Sequence, residues 1–209
     1  IQGLPGCAVQ EDNVAVEFNI PPCQDSNSFV KNLTKVLEHL ANEAKKMNLG
    51  LKISASALFS DEELITPEAQ IFGCDPDFNA WTGFRNPAPH SSNRNLRSAG
   101  GHVHVGTHFY AANVAKCMDL FLGVPFTMID PDTKRRELYG KAGCYRPKPY
   151  GLEYRSLSNY WLTSKELMLW VYNQTEKAVN FASSSPEFDV ATADHIQCCI
   201  NKSDKNSYM

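Results

Sequence analysis

Three short stretches of the chain carry acidic, imidazole and guanidinium side chains at alternate positions: Glu17 with Asn19, His102 with His104, and Glu153 with Arg155. Val14 to Ile20, Gly101 to Gly106 and Gly151 to Arg155 each read as a strand, where successive side chains point to opposite faces. The polar pairs then share one face, and Val14, Val16, Phe18, Val103, Val105, Leu152 and Tyr154 line the other. Placed in one sheet, the three strands would form a floor able to hold a divalent metal and phosphate oxygens. A second cluster lies between Lys134 and Lys148, where Lys134, Arg135, Arg136, Lys141, Arg146 and Lys148 face Glu137 alone. Gly140, Gly143, Tyr139 and Tyr145 are interleaved with these cations and would let backbone and side chains close around an anion.

Each feature has a plainer alternative. A lone acid such as Glu17 can face solvent from a half-exposed sheet, paired histidines occur on surfaces, and Glu153 with Arg155 can form an exposed ion pair of little energetic weight. Asp75 and Asp77 could bind metal, although Asp-Pro is a common turn element. Asp12 could reach the same ion from a hairpin. The seven cysteines, odd in number and without a Cys-x-x-Cys pair, fit neither a disulfide framework nor a zinc ribbon and read as structural.

The elements that must position these residues follow from periodicity. Pro21-Pro22 ends the first strand, and Ser26 or Ser28 can cap a helix with Val30, Leu33, Leu37, Leu40, Ala44 and Met47 inward, ending at Gly50. Leu51 to Phe59 alternates as a second strand expected beside the first. From Asp61 to Gly101 periodicity fades, and the aromatic residues there favour an ordered loop over the site. A helix from Ala111 to about Leu122 is expected to break at Gly123-Val124-Pro125. A loop from Pro131 to Tyr150 precedes the Glu153 strand, and Thr163 with Glu166 would cap a last helix.

At 209 residues and 43% hydrophobic, the chain can bury a substantial core, and one domain over residues 1–209 is expected. The net charge of −3 argues against a general nucleic-acid binder. No apolar run reads as the roughly 20 residues needed to cross a bilayer, so no membrane partner is expected. No signal peptide is visible, and reduced cysteines suit a cytoplasmic setting.

The ordered trio of strand-borne Glu17, Gly-Gly-His-Val-His-Val-Gly and Leu-Glu-Tyr-Arg resembles the catalytic core of the glutamine synthetase and glutamate-cysteine ligase superfamily. It is most similar to the small phage-type carboxylate-amine ligases, over most of residues 8–182. The resemblance implies an α+β fold with a curved, mainly antiparallel sheet, helices packed on one face, and an N-terminal acidic strand that this chain is expected to lack. It implies an ATP-dependent ligase that forms an amide through an acyl phosphate, with Mg2+ or Mn2+ as the ion. Glu17, His102 and Glu153 would be metal ligands, His104 a phosphate contact, and Arg155 a contact to the transferred phosphoryl. Small-molecule or peptide carboxylates and amines are the implied partners, a homo-oligomer is allowed for, and the host cytoplasm is the location if a phage encodes the chain. Two other classes stay open: a catalytically inactive binding or virion-associated protein of the same fold, and a metal hydrolase, against which the basic segment argues.

Overall fold

A computed structural model of the protein describes residues 1, 3–12, 14–70, 77–89 and 93–202. The architecture is α+β, with every paired strand antiparallel. The strands are β1 (Ala8–Asp12), β2 (Ala15–Asn19), β3 (Ser56–Leu58), β4 (Phe78–Asn79), β5 (Leu96–Ser98), β6 (Val103–Gly106), β7 (Cys144–Lys148) and β8 (Gly151–Tyr154). They form three open sheets rather than one: a β1-β2 hairpin, a β3-β5 pair, and a four-stranded sheet in the order β4-β7-β8-β6. The expectation that the Glu17 strand joins the His102 and Glu153 strands is therefore corrected: β2 pairs with β1 in a hairpin of its own, and the four-stranded sheet does not include it. β3 likewise pairs with β5 and not with the first strand.

The helices are α1 (Ser26–Lys46), α2 (Pro67–Gln70), α3 (Ala111–Met118), α4 (Val124–Ile129), α5 (Arg135–Leu138), α6 (Lys165–Ala182) and α7 (Val190–Lys202). Asp25 caps α1, its carboxylate accepting from the Ser28 amide at 2.8 Å, and the left-handed Asn48 (φ 57°) turns the chain before Gly50 is reached. Ser164, one residue past the expected Thr163, caps α6 by accepting from the Leu167 amide. α7 follows the helix expected to be the last, and it buries Ile196, Cys199 and Ile200.

No break occurs at Gly123-Val124-Pro125. A π-helical stretch, Asp119–Gly123, joins α3 to α4, and Pro125 falls in the first turn of the renewed α-helix, where its missing N–H costs least. The combined helix Ala111–Ile129 is long and apolar enough to cross a membrane by length and composition. In this fold the same apolarity serves the core: Val114, Cys117, Met118, Leu122 and Phe126 are fully buried. α3 lies against β7 and β8, with α6 packed on α3 and α1 on α6. Val103, Val105, Leu152, Tyr154 and Tyr145 form the helix-facing side of the sheet. Helices thus cover one face of the four-stranded sheet.

Candidate functional site

The open face is built by cross-strand register. Residues paired directly across antiparallel strands project to the same side, and Glu153 of β8 is paired with His104 of β6 on one flank and Arg146 of β7 on the other. Lys148 lies two residues beyond Arg146, and Arg155 two beyond Glu153, so both join that face. The segment read as a loop from Pro131 to Tyr150 contains α5 and β7, and strand periodicity delivers Arg146 and Lys148 to the row. The Lys148–Gly151 pair closes β7 to β8 with only Pro149 and Tyr150 between. Gly151 has φ 146°, and a Cβ there would lie 2.2 Å from the Val105 carbonyl oxygen. Only glycine fits this close approach.

Glu153 is 3% exposed and is surrounded by donors. Its Oε1 pairs with Arg155 Nη1, with His102 Nδ1 at 3.2 Å and with Arg146 Nη1 at 3.8 Å, while Oε2 pairs with Lys148 Nζ at 3.0 Å. Burial pushes its carboxyl up, but His102, Arg155 and Lys148 outweigh that and hold it well below the usual range. Arg155 is also buried, and its Nε meets Asp77 Oδ2 at 3.2 Å. Asp77 in turn accepts from Asn86 Nδ2 at 2.8 Å. The site thus gathers Arg146, Lys148 and Arg155 about Glu153 and Asp77. Asp75, the other acid of that segment, lies outside the described residues.

The two histidines are held differently. His102 is wedged against Gly100, where an added Cβ would meet Nε2 at 2.3 Å, and its Nδ1 is turned to Glu153 and Arg155. Burial, with Arg155 and Arg135 nearby, brings its imidazole down to about 4 against the opposing effect of Glu153. His104 stands exposed on β6, with its Nδ1 2.6 Å from Tyr150 Oη. Burial of part of its ring also lowers its value.

The remaining cations separate. Arg135 is buried and clamps the main chain, donating to Arg155 O at 3.1 Å, Leu157 O at 3.3 Å and Ser98 Oγ at 3.2 Å. Burial brings its guanidinium down to about 10. Its expected role as a phosphate contact is replaced by holding the chain as it leaves β8. Arg136 is buried beside it, whereas Lys141 is exposed and lends its carbonyl to Ser156 Oγ at 2.8 Å.

Glu17 is exposed on the β1-β2 hairpin, and its Oε2 accepts from Gln10 Nε2 at 2.9 Å. The hairpin nevertheless lies within electrostatic reach of the row. Arg155 acts on Asp12, whose carboxyl is pushed up by partial burial and by Glu17, and Glu17 acts on His104. Glu17, His102 and Glu153 do not converge as a metal cage: Glu17 stands on the separate hairpin, both Glu153 oxygens face cations, and His102 Nδ1 is turned to Glu153 and Arg155. Among the described residues no three acidic, histidine or cysteine side chains converge as metal donors.

Under the sheet, Asp119 is a residue that the motif reading passed over. It is fully buried, accepting from Trp81 Nε1 at 2.6 Å, the Gly143 amide at 2.6 Å, Tyr154 Oη at 2.7 Å and Ser156 Oγ at 3.4 Å. Burial raises its carboxyl to about 6 against the pull of those donors. It ties the start of β7 and the end of β8 to the π-helical stretch. The available signal was an acid inside the apolar run Cys117-Met118-Asp119-Leu120-Phe121-Leu122. The six described cysteines lie outside any disulfide.

Residues 91–188 match the family model described as phage phiEco32-like COOH.NH2 ligase-type 2. The match covers just under half of the chain. It spans β5 through α6, including His102, His104, Arg146, Lys148, Glu153 and Arg155, while the β1-β2 hairpin and Asp77 lie outside it. In this region the chain is similar to a family of carboxylate-amine ligases. No curated protein and no solved structure matches the chain.

Proposed function

We propose that this protein is an ATP-dependent carboxylate-amine ligase whose phosphate-binding floor is the charged row on β6, β8 and β7. The observation that carries the reading is the buried Glu153 with Arg155, Lys148, Arg146 and His102 gathered around it. Pairing such a carboxylate with several cations orients their N–H groups in a fixed array, and preorganised donors of this kind neutralise charge without reorganising during reaction. The similarity of residues 91–188 to COOH–NH2 ligases supports the reaction class, and a sheet like that of glutamine synthetase remains part of the proposal.

A carboxylate is a poor acyl electrophile. In the proposed reaction a substrate carboxylate oxygen attacks the γ-phosphorus, the bond to the bridging oxygen breaks, and ADP leaves. The amine nitrogen then attacks the acyl carbon and loses a proton as the C–O bond to phosphate breaks, giving amide and inorganic phosphate. Arg146 and Lys148 would contact phosphate oxygens, and Arg155, fixed between Glu153 and Asp77, would set the charge of the floor. Because the described residues form no metal cage, Mg2+ or Mn2+ would arrive on the nucleotide phosphates, a mode that Mg2+ favours because it keeps much of its water shell.

The test is ADP and phosphate release by the full chain with ATP and Mg2+ or Mn2+, screened over carboxylates and amines singly and together. The expected result is ADP formation that requires both an acid and an amine, with loss of nucleotide binding on charge reversal of Arg146. Failure to bind ATP, or release of AMP, overturns the reading. ATP binding without turnover under every pair would favour the second reading, an inactive binding or virion-associated protein, which is supported by the commitment of both Glu153 oxygens to cations.

A further inference from the structure

The turn between β7 and β8 contains one exposed aromatic side chain directed at the charged row. Pro149 restricts the backbone ahead of Tyr150, Gly151 follows it, and the Tyr150 carbonyl accepts from the Thr107 amide at 2.8 Å, which ties the turn to the end of β6. From that anchored position the Tyr150 hydroxyl reaches His104 Nδ1 at 2.6 Å, with the two rings 6.2 Å apart and inclined by 33°. The geometry points to Tyr150 as a positioning residue that donates to His104 Nδ1, fixes the imidazole with its proton on Nε2, and presents that N–H to an anion on the row.

The proposal rests on the phosphate-binding reading above and adds to it the residue that orients the histidine. A phenol oxygen can donate or accept, and the 2.6 Å separation is shorter than an N–H···O bond usually is but within the range of a hydroxyl donor, which favours O–H to Nδ1. Partial burial, Lys148 and Arg155 all favour the neutral imidazole, against Glu153 and Glu17. A neutral imidazole whose Nδ1 accepts must carry its proton on Nε2. Without the phenol both tautomers are open, and part of the population would turn an acceptor toward a phosphate oxygen.

The experiment uses the full chain with 15N-labelled histidine, its His104 signals assigned by their loss in His104→Gln. The expected long-range 1H–15N spectrum shows the Nε2–H tautomer in the wild type and a mixture in Tyr150→Phe. ATP affinity in Tyr150→Phe should fall roughly three- to tenfold, the range of one net hydrogen bond. His104→Gln keeps an N–H near the Nε2 position without needing the phenol, so adding Tyr150→Phe to it should change affinity no further. An Nδ1–H tautomer in the wild type, an unchanged tautomer in Tyr150→Phe, or an equal loss in the His104→Gln background overturns the proposal. ATP binding that depends on Arg146 but not on Tyr150 overturns the positioning role alone, whereas a wild type that binds neither ATP nor pyrophosphate overturns the phosphate reading and this one with it.

Discussion

Two buried carboxylates on opposite sides of one sheet are tuned in opposite directions by what surrounds them. Glu153 is ionised among cations, and Glu153→Ala should destabilise the protein by about 3–5 kcal/mol, since it strands buried charge without its partner. Urea unfolding should show this loss, while Lys148→Met, at a more open position, should cost far less. Asp119 behaves the other way. Its carboxyl is raised to about 6, so between the ordinary aspartate range and about pH 6 the folded state binds more protons than the unfolded one. Stability from this group is then fully present at the acid end of that window and falls as pH rises through it. Unfolding free energies measured across the window should fall with pH in the wild type relative to Asp119→Asn, whose amide does not titrate; parallel curves would refute the assignment.

At the scale of elements, the site depends on how tightly β7 turns into β8. A two-residue turn fixes the register that sets Arg146 opposite Glu153 and Lys148 opposite Gly151. Gly151→Ala would drive a methyl group into the Val105 carbonyl, at a position where φ already disfavours any side chain. We expect a loss of about 2–3 kcal/mol in thermal or urea unfolding, with weakened nucleotide binding as the strands part. A wild-type melting temperature in this variant would show that the turn tolerates the side chain. The π-helical stretch is the companion device beneath the sheet: it carries Asp119 to the start of β7 and the end of β8 while keeping one long apolar helix against the core.

On the scale of the molecule, charges of opposite sign reach the same region from separate sheets. The hairpin acids Asp12 and Glu17 act on Arg155 and His104 without sharing a sheet with either. Removing one of these negative charges should strengthen binding of an anionic probe. Glu17→Gln is expected to raise pyrophosphate affinity roughly twofold in divalent-free, low-salt buffer, with the gain lost at high salt because exposed charges are screened. Calorimetric titration at two ionic strengths checks this, and an affinity that falls in the variant would mean that Glu17 helps to hold the anion.

Much of the candidate floor was legible in the sequence because strand alternation is local. The spacing of His102 with His104 and of Glu153 with Arg155 places each pair on one face of a strand whichever sheet that strand joins, and Val103, Val105, Leu152 and Tyr154 mark the other face as core. The cation-rich segment was equally visible as composition. Which cations serve the site was not, since that depends on which stretch becomes β7: Arg146 and Lys148 meet Glu153 by register, while Arg135 is buried on main-chain carbonyls. Tertiary structure also decided that β2 pairs with β1, and that the helix runs on through Gly123 and Pro125. Strand pairing and helix continuation are set by long-range packing and by where unsatisfied backbone groups find partners. Side-chain alternation is set by bond geometry at each residue, and so it could be read before the chain was folded.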